Sequence, residues 1–441
     1  MFKSLVGSMS PTRLNMISVI YYYYIIVLTL IGSYAIVEGL GDNPVLALVS
    51  DDIKRFGYYA IIYSIFAFCA SGIVAKRVAI GARNADAIHA AYFLKKIEPP
   101  KGVGDNFVKI WLLFLTILSL FSALYVTFIK GSVPQLSFFA HEDQISNLLL
   151  RVSFERDFTG FVYIKTIIFE QVAVLLSLVM YCYYLMTKRL MHFLWFLLSF
   201  IIAIYSVTFS LSKSQLIVYL SYFMFIRIYA RGEISKKYLL SMSTILLSIL
   251  VFLFFLVTKM DLEAVAVYML NRIFLDQVSG AFLMFQIFPN EYNHIGFCSL
   301  SNLIPSFMCA QNEPATRLAM EHAFPHGSLE GVMNLLSTYY LGEAWANFSY
   351  IGLFIAPLYM GFVITFFYYF ILKINKNPFT IALLSFVSFG TNFASQFNGY
   401  IYNMLFIVTV TIVFFPLLAA PMIRPRAQLL SAIDMRPGVS G

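Results

Sequence analysis

The feature that most limits this chain is a series of apolar runs, each near or above the roughly 20 residues that carry a helix across a bilayer. The first is Met16–Val37. Similar runs follow at about 56–75, 108–129, 162–186, 190–210, 214–229, 238–258, 348–372, 378–395 and 399–421, which reads as ten membrane-spanning helices. A soluble domain of 441 residues has no interior large enough for a chain that is 60% hydrophobic and only 12% charged. The mean hydropathy of +0.80 says the same. The predicted fold is therefore all-α: a polytopic membrane protein forming a single integral membrane domain over 1–441.

Basic residues set the expected orientation, because cytoplasmic segments hold an excess of Lys and Arg. An even number of spans puts both termini on one side. With the N-terminus inside, 20 of the 30 Lys and Arg fall inside, among them Lys76, Arg77, Arg83, Lys95, Lys96, Lys188, Arg189, Arg231, Lys236 and Lys237. N-in, C-in is the predicted topology. Met16–Val37 is too long for a signal-peptide core and lacks a small-residue cleavage site, so it reads as an uncleaved first span. The net charge of +8 speaks to topology and lipid contact; no nucleic-acid-binding motif accompanies it.

Leu262–Phe288 is apolar but holds Glu263, Arg272 and Asp276. Charges at the bilayer centre cost about 2.5–3.5 kcal/mol each on insertion scales. The segment is predicted to be an amphipathic helix on the outer surface, with Arg272 and Asp276 paired across one helical turn. The large outer region then runs over 259–347, and a smaller outer loop over 130–161. ATRLAMEHAFPHG, residues 315–327, concentrates ionisable groups in the middle of the large region. Cys298 and Cys309 lie in the same region, where export permits a disulfide. Cys69 and Cys182 sit inside apolar runs and read as packing residues.

Polar residues beside the spans gather toward the outer side: Lys165 and Glu170, Lys213, Glu343 and Asn347, then Asn392, Gln396 and Asn398. Arg151, Arg156, Arg272, Arg317, His322 and His326 join them from the outer loops. These groups read as a polar, net basic basin at the outer leaflet, which suits a lipid-linked phosphate or diphosphate that arginine binds through two parallel hydrogen bonds and lysine as a point charge. Neither a phosphate-binding P-loop nor a dinucleotide glycine fingerprint is present.

STYYLGEAWANFSYIGLFIAPLYMG, residues 337–361, resembles the Wzy family of O-antigen and oligosaccharide-repeat-unit polymerases, whose members carry Leu-Gly-Glu, an aromatic, Asn-Phe, then Ile-Gly entering a late span. FSLSKSQLIVYL, 209–220, is similar to that family's Ser-Lys region. Many members have Gly after Asn-Phe where this chain has Ser349, and the Arg-to-Gly loop spacing of some members is not met. The resemblance implies a GT-C-like architecture of about ten helices with a large periplasmic loop containing amphipathic helices, in a bacterial inner membrane. It implies transfer of a growing glycan from undecaprenyl diphosphate to a second lipid-linked repeat unit, without metal or cofactor. Expected partners are the undecaprenyl-diphosphate-linked oligosaccharides, membrane lipids, and a chain-length regulator and flippase of the same pathway.

The chemistry asks for cations on the leaving diphosphate and a base for the acceptor hydroxyl. Arg272, Arg317, Lys213, Arg156 and Lys165, with Asn347, are the candidate diphosphate ligands. Glu343, His326 and His322 are the candidate bases. Other readings stay open: an O-antigen ligase; a metal-dependent transferase using Asp51-Asp52 or His141-Glu142-Asp143 with a lipid-monophosphate donor; or a flippase, which would place its charges at midplane.

Overall fold

The computed structural model describes residues 11–41, 43–81, 83–101, 104–135, 158–258, 262–300, 313–325, 336–390 and 397–423, with residues 5, 137 and 154. The described residues hold helices and no strand. Numbering helices of nine residues or more in chain order gives α1 Met16–Val37, α2 Asp51–Ile80, α3 Ala85–Leu94, α4 Asp105–Lys130, α5 Ile164–Thr187, α6 Leu190–Phe209, α7 Lys213–Arg231 and α8 Lys236–Thr258. They continue as α9 Leu262–Leu270, α10 Ser279–Ile287, α11 Ala315–Ala323, α12 Tyr339–Lys373, α13 Pro378–Gly390 and α14 Met404–Ile423. Seven are long and apolar enough to cross a membrane: α1, α2, α4, α5, α6, α12 and α14, the last taken with the turn before it.

The most extensive helix pairing joins α2 to α12. Small residues make it possible. A Cβ on Gly361 would stand 2.3 Å from the Phe68 carbonyl oxygen, and one on Gly72 would stand 2.9 Å from Thr365 Oγ1. Tyr63 stacks on Phe354 at 5.8 Å and donates its hydroxyl to that residue's carbonyl at 3.1 Å. The order of these contacts, 63 with 354, 68 with 361 and 72 with 365, makes the two helices parallel. Several hydroxyls inside the spans return to their own helix, where Ser64 donates to Ile61, Ser177 to Val174 and Ser385 to Ile381, pairing them inside hydrocarbon.

Parallel packing of α2 and α12 defines two ends. At the mouth, where both begin, lie the segment before α2, helices α9 to α11, and the turn before α14. Asn43 donates to Asp276 (2.7 Å), and the backbone and hydroxyl of Ser50 donate to Gln286. At the base, Arg13 binds Glu233 (2.7 Å) and the Ile234 N–H reaches the Thr12 carbonyl. Lys376, buried, donates to the carbonyls of Phe93 and Ala230 at 3.1 and 3.0 Å, tying the ends of α3 and α7 to the α12–α13 turn.

The expected surface helix over 262–288 is two helices with different fates. α9 leaves Val267, Tyr268 and Leu270 exposed and ends in π-helical winding over Asn271–Leu275. α10 is buried almost throughout. Gly57 lets Phe282 approach α2, and Gly342 lets Ala281 touch the backbone of α12. The apolar residues that suggested interfacial lipid contact in α10 instead fill the space between two long helices.

Candidate active site at the mouth of the bundle

Helix α12 is broken near its start. Ser349 has φ 56° and ψ −142°, so the segment 339–348 and the long apolar run from Tyr350 are separate helical pieces. Gly352 carries the break: a Cβ there would lie 2.0 Å from the Ala344 carbonyl oxygen. Carbonyls released at the break find other partners. Ala346 accepts from the Ile295 N–H (3.0 Å), with His294 Nδ1 3.3 Å away.

On the first piece, Glu343 and Asn347 are four residues apart and share a face. Both are buried, at 4% and 2% exposure. Glu343 Oε2 accepts the backbone N–H groups of Phe397 and of Asn398, the latter at 2.9 Å. Its Oε1 has no hydrogen bond among the described residues. Asn347 Nδ2 donates to Asn398 Oδ1 (2.9 Å), and Asn398 Nδ2 donates to Ser299 Oγ (2.9 Å). Asn347 Oδ1 is buried with no partner among the described residues, a rare and costly state for a buried amide oxygen. Trp345, on the opposite face, is fixed by its indole N–H on the Phe288 carbonyl (3.0 Å) and packs on Phe56, Phe285 and Tyr350. The result is a rigidly held carboxylate beside an amide network, with one carboxylate oxygen and one amide oxygen uncommitted.

A second titratable pair stands on α11. His322 Nδ1 lies 3.0 Å from Glu291 Oε2, and the ring meets Tyr292 edge-on at 6.5 Å. Its Nε2 has no partner among the described residues. A carboxylate on one ring nitrogen fixes the tautomer and aims the other. α11 sits against α10, with its Ala315, Leu318 and Ala319 buried and Arg317 exposed.

The cations predicted for phosphate are placed differently. Arg272 binds Asp276 at 3.0 Å, the pairing expected across one helical turn. Arg317 is held between Glu313 (3.1 Å) and Glu321 (3.0 Å). Lys165 is buried in π-helical winding at the start of α5. It donates to the Phe154 carbonyl (3.1 Å), lies 4.0 Å from Glu170 and faces the Phe158 and Phe209 rings. Lys213 begins α7, and its side chain lies outside the described residues, as do Arg156 and His326. No hydrogen bond or ion pair among the described residues joins Glu343 to Arg272, Arg317, His322 or Lys165. The structure thus brings together Glu343, Asn347 and Asn398, and leaves His322, Arg272, Arg317 and Lys165 in separate clusters.

Sequence reasoning missed Ser299, Glu291 and the N–H groups of 397–398. It also overlooked the acid count of the predicted outer side. Only Asp86, Glu98, Asp105, Glu233 and Asp434 of the 22 acidic residues belong to the predicted inner side, leaving seventeen outside against ten Lys and Arg. Three described cations at the mouth, Lys54, Arg272 and Arg317, stand beside carboxylates. Asp51 of the acidic pair that opens α2 holds Lys54 at 3.0 Å. Cys298 is disulfide-bonded, whereas Cys69 and Cys182 are free and buried; the expected partner, Cys309, lies outside the described residues.

Compared with protein-family models, curated proteins and solved structures, the chain finds no match.

Proposed function

We propose that this chain is a Wzy-type membrane glycosyltransferase that polymerises polyprenyl-diphosphate-linked oligosaccharide units at the outer face of a bacterial inner membrane. The observation that carries the reading is the convergence of Glu343 and Asn347, both from the LGEAWANF stretch, with Asn398 at the mouth of the bundle. Helices α7, α8 and α13 complete ten spans with the seven long apolar helices. The mouth is then the exported end, an assignment supported by the Cys298 disulfide there and by the excess of Lys and Arg at the base.

In the reaction, an acceptor hydroxyl attacks the anomeric carbon of the carrier-linked glycan. The new C–O bond forms as the bond to the diphosphate breaks. Glu343 Oε1 takes the hydroxyl proton, and the carrier diphosphate leaves with the bonding pair. Oε2, held by two backbone N–H groups, keeps the carboxylate in place, and the Asn347 amide oxygen accepts from a sugar hydroxyl. Arg272 and Arg317 exchange a carboxylate partner for the diphosphate as it arrives. With seventeen acidic residues on that side, diphosphate recognition rests on such local arginines rather than on a general positive field. His322, oriented by Glu291, is the second candidate base.

Purified protein given a defined lipid-linked repeat unit, with no added metal, should produce dimers and longer oligomers. Recovery of the single unit alone, from protein whose fold is intact, would remove the polymerase assignment. Transfer to a lipid A core acceptor would mark a ligase instead.

A further inference from the structure

At the base of the bundle, α5 and α7 both end on cations. Lys188 follows α5 in the left-handed conformation (φ 56°). Arg227 and Arg231 occupy the last turns of α7, which stops at Gly232. Three tyrosines join Lys188 to Arg227, and Arg231 lies one helical turn beyond Arg227. Lys188 Nζ lies 5.1 Å from the Tyr184 ring, and Tyr184 lies 6.4 Å from Tyr181. The Tyr181 hydroxyl accepts from Arg227 Nε at 3.2 Å, and the Arg227 guanidinium covers the Tyr238 ring at 4.7 Å. The Lys188 ammonium is pushed below the usual lysine range, by burial first and then by Arg231 and Arg227, so these like charges feel one another.

Unlike Arg272 and Arg317 at the mouth, this group has no carboxylate paired with it among the described residues. None of Lys188, Arg189, Arg227 and Arg231 forms an ion pair among the described residues. Glu233, two residues beyond Arg231, is held by Arg13, and Asp105 is held by Lys109 at 2.5 Å. Two helix C-termini meet the cluster and offset about half a charge each, which leaves about three of the four positive charges. Tyrosine faces attract cations by roughly 0.5–1 kcal/mol each at exposed sites but neutralise none of them. The residual charge calls for an anion.

The surroundings choose which anion. Leu190 and Met191 at the start of α6 are 70% and 72% exposed, and Leu240 at the start of α8 is 70% exposed. A soluble phosphate has no use for such flanking apolar walls, whereas acyl chains do. We propose that Lys188, Arg189, Arg227 and Arg231 bind the phosphate of an anionic glycerophospholipid, with its acyl chains along the exposed apolar faces of α6 and α8. Basic pockets between helices on the cytoplasmic side of membranes have the character such headgroups require. The proposal stands apart from the reaction at the mouth.

The test is native mass spectrometry of the full chain in uncharged detergent, titrated with phosphatidylglycerol or phosphatidylcholine. Phosphatidylglycerol should be retained preferentially. Lys188→Gln and Arg231→Gln, both at exposed positions, should each weaken its retention about fivefold, and the double variant about 25-fold, from about 1 kcal/mol per basic residue. Arg227 is left intact because it packs on two tyrosines. Arg83→Gln, an exposed cation outside the cluster, should change nothing. Equal retention of both lipids would overturn the proposal. So would an equal loss in Arg83→Gln, which marks diffuse surface attraction, or displacement by millimolar inorganic phosphate, which marks a site for a soluble anion.

Discussion

Replacing Ser349 by glycine should stabilise the protein, although serine is the native residue. At φ 56° and ψ −142° the backbone of Ser349 lies where a side chain is strained and glycine is not. Non-glycine residues held in sparsely populated conformations cost about 1–3 kcal/mol. Glycine gives back about 0.5–1 kcal/mol through the greater freedom of the unfolded chain. The Ser349 hydroxyl makes no hydrogen bond among the described residues, so no contact is lost. The net gain is then about 0–2.5 kcal/mol, centred on about 1 kcal/mol. Ser349→Ala keeps the strain and should lie within about 0.5 kcal/mol of the native chain, the range of a substitution that removes no contact. Ser349→Val, with its stiff branched side chain, should be less stable than either. Reversible unfolding in mixed micelles, followed by tryptophan fluorescence, can read this order, since Trp345 is one of only three tryptophans and lies four residues from the break. A glycine variant no more stable than the alanine variant would refute the argument that the break is strained. It would also remove the physical reason for the glycine that many members of the resembled family place there.

Glu343→Gln should lower polymerisation by about 10²–10⁴-fold, the usual worth of a general base, while the chain still folds because an amide oxygen can accept the two N–H groups; activity within threefold of the native level would exclude Glu343 as the base. Gly352→Ala should abolish stable folding, because its Cβ would stand 2.0 Å from a backbone oxygen; normal yield and thermal stability would show that the break can shift. His89, buried against Tyr368 and Tyr369, is pushed by desolvation down to about 4. Its folded-state value is below its unfolded one, so its contribution is full above pH 6.5 and is lost as pH falls toward 4, at about 1.36 kcal/mol per unit. Denaturant titrations at several pH values should show a slope over that window that His89→Gln flattens; an unchanged slope in the variant would assign the acid sensitivity elsewhere. Cysteine placed at 317 should react with impermeant maleimide in intact cells, and cysteine at 101 only after permeabilisation; the reverse pattern would invert the proposed topology.

Hydropathy carried the long helices because bilayer thickness imposes a length that composition alone can meet. Arg272 and Asp276 were legible as a pair because the spacing of one helical turn is a local rule. Glu343 and Asn347 were legible as members of one face for the same reason. Their partners were not. The groups that bind Glu343 are backbone N–H groups at 397–398, and every non-proline residue carries that donor, so no letter in the sequence announces it. Glu291 and His322 are 31 positions apart and meet only because α11 folds back on α10. The division of 262–288 into an exposed and a buried helix was hidden because apolar residues read alike against lipid and against protein. Gly57 and Gly342, which admit α10 between α2 and α12, are the residues that decide it.

The parallel pairing of α2 and α12 sets an order on biogenesis. Parallel neighbours never form a simple hairpin, and these two are separated by more than half of the chain. While the ribosome is still making the intervening segments, the face of α2 that receives Phe354, Gly361 and Thr365 lacks its α12 partner. Either lipid or an insertion factor must occupy it until about the last quarter of the sequence emerges. A chain stopped before Tyr339 would therefore insert its early helices yet present an unfinished seam to quality control, which makes this a protein completed from its end backward.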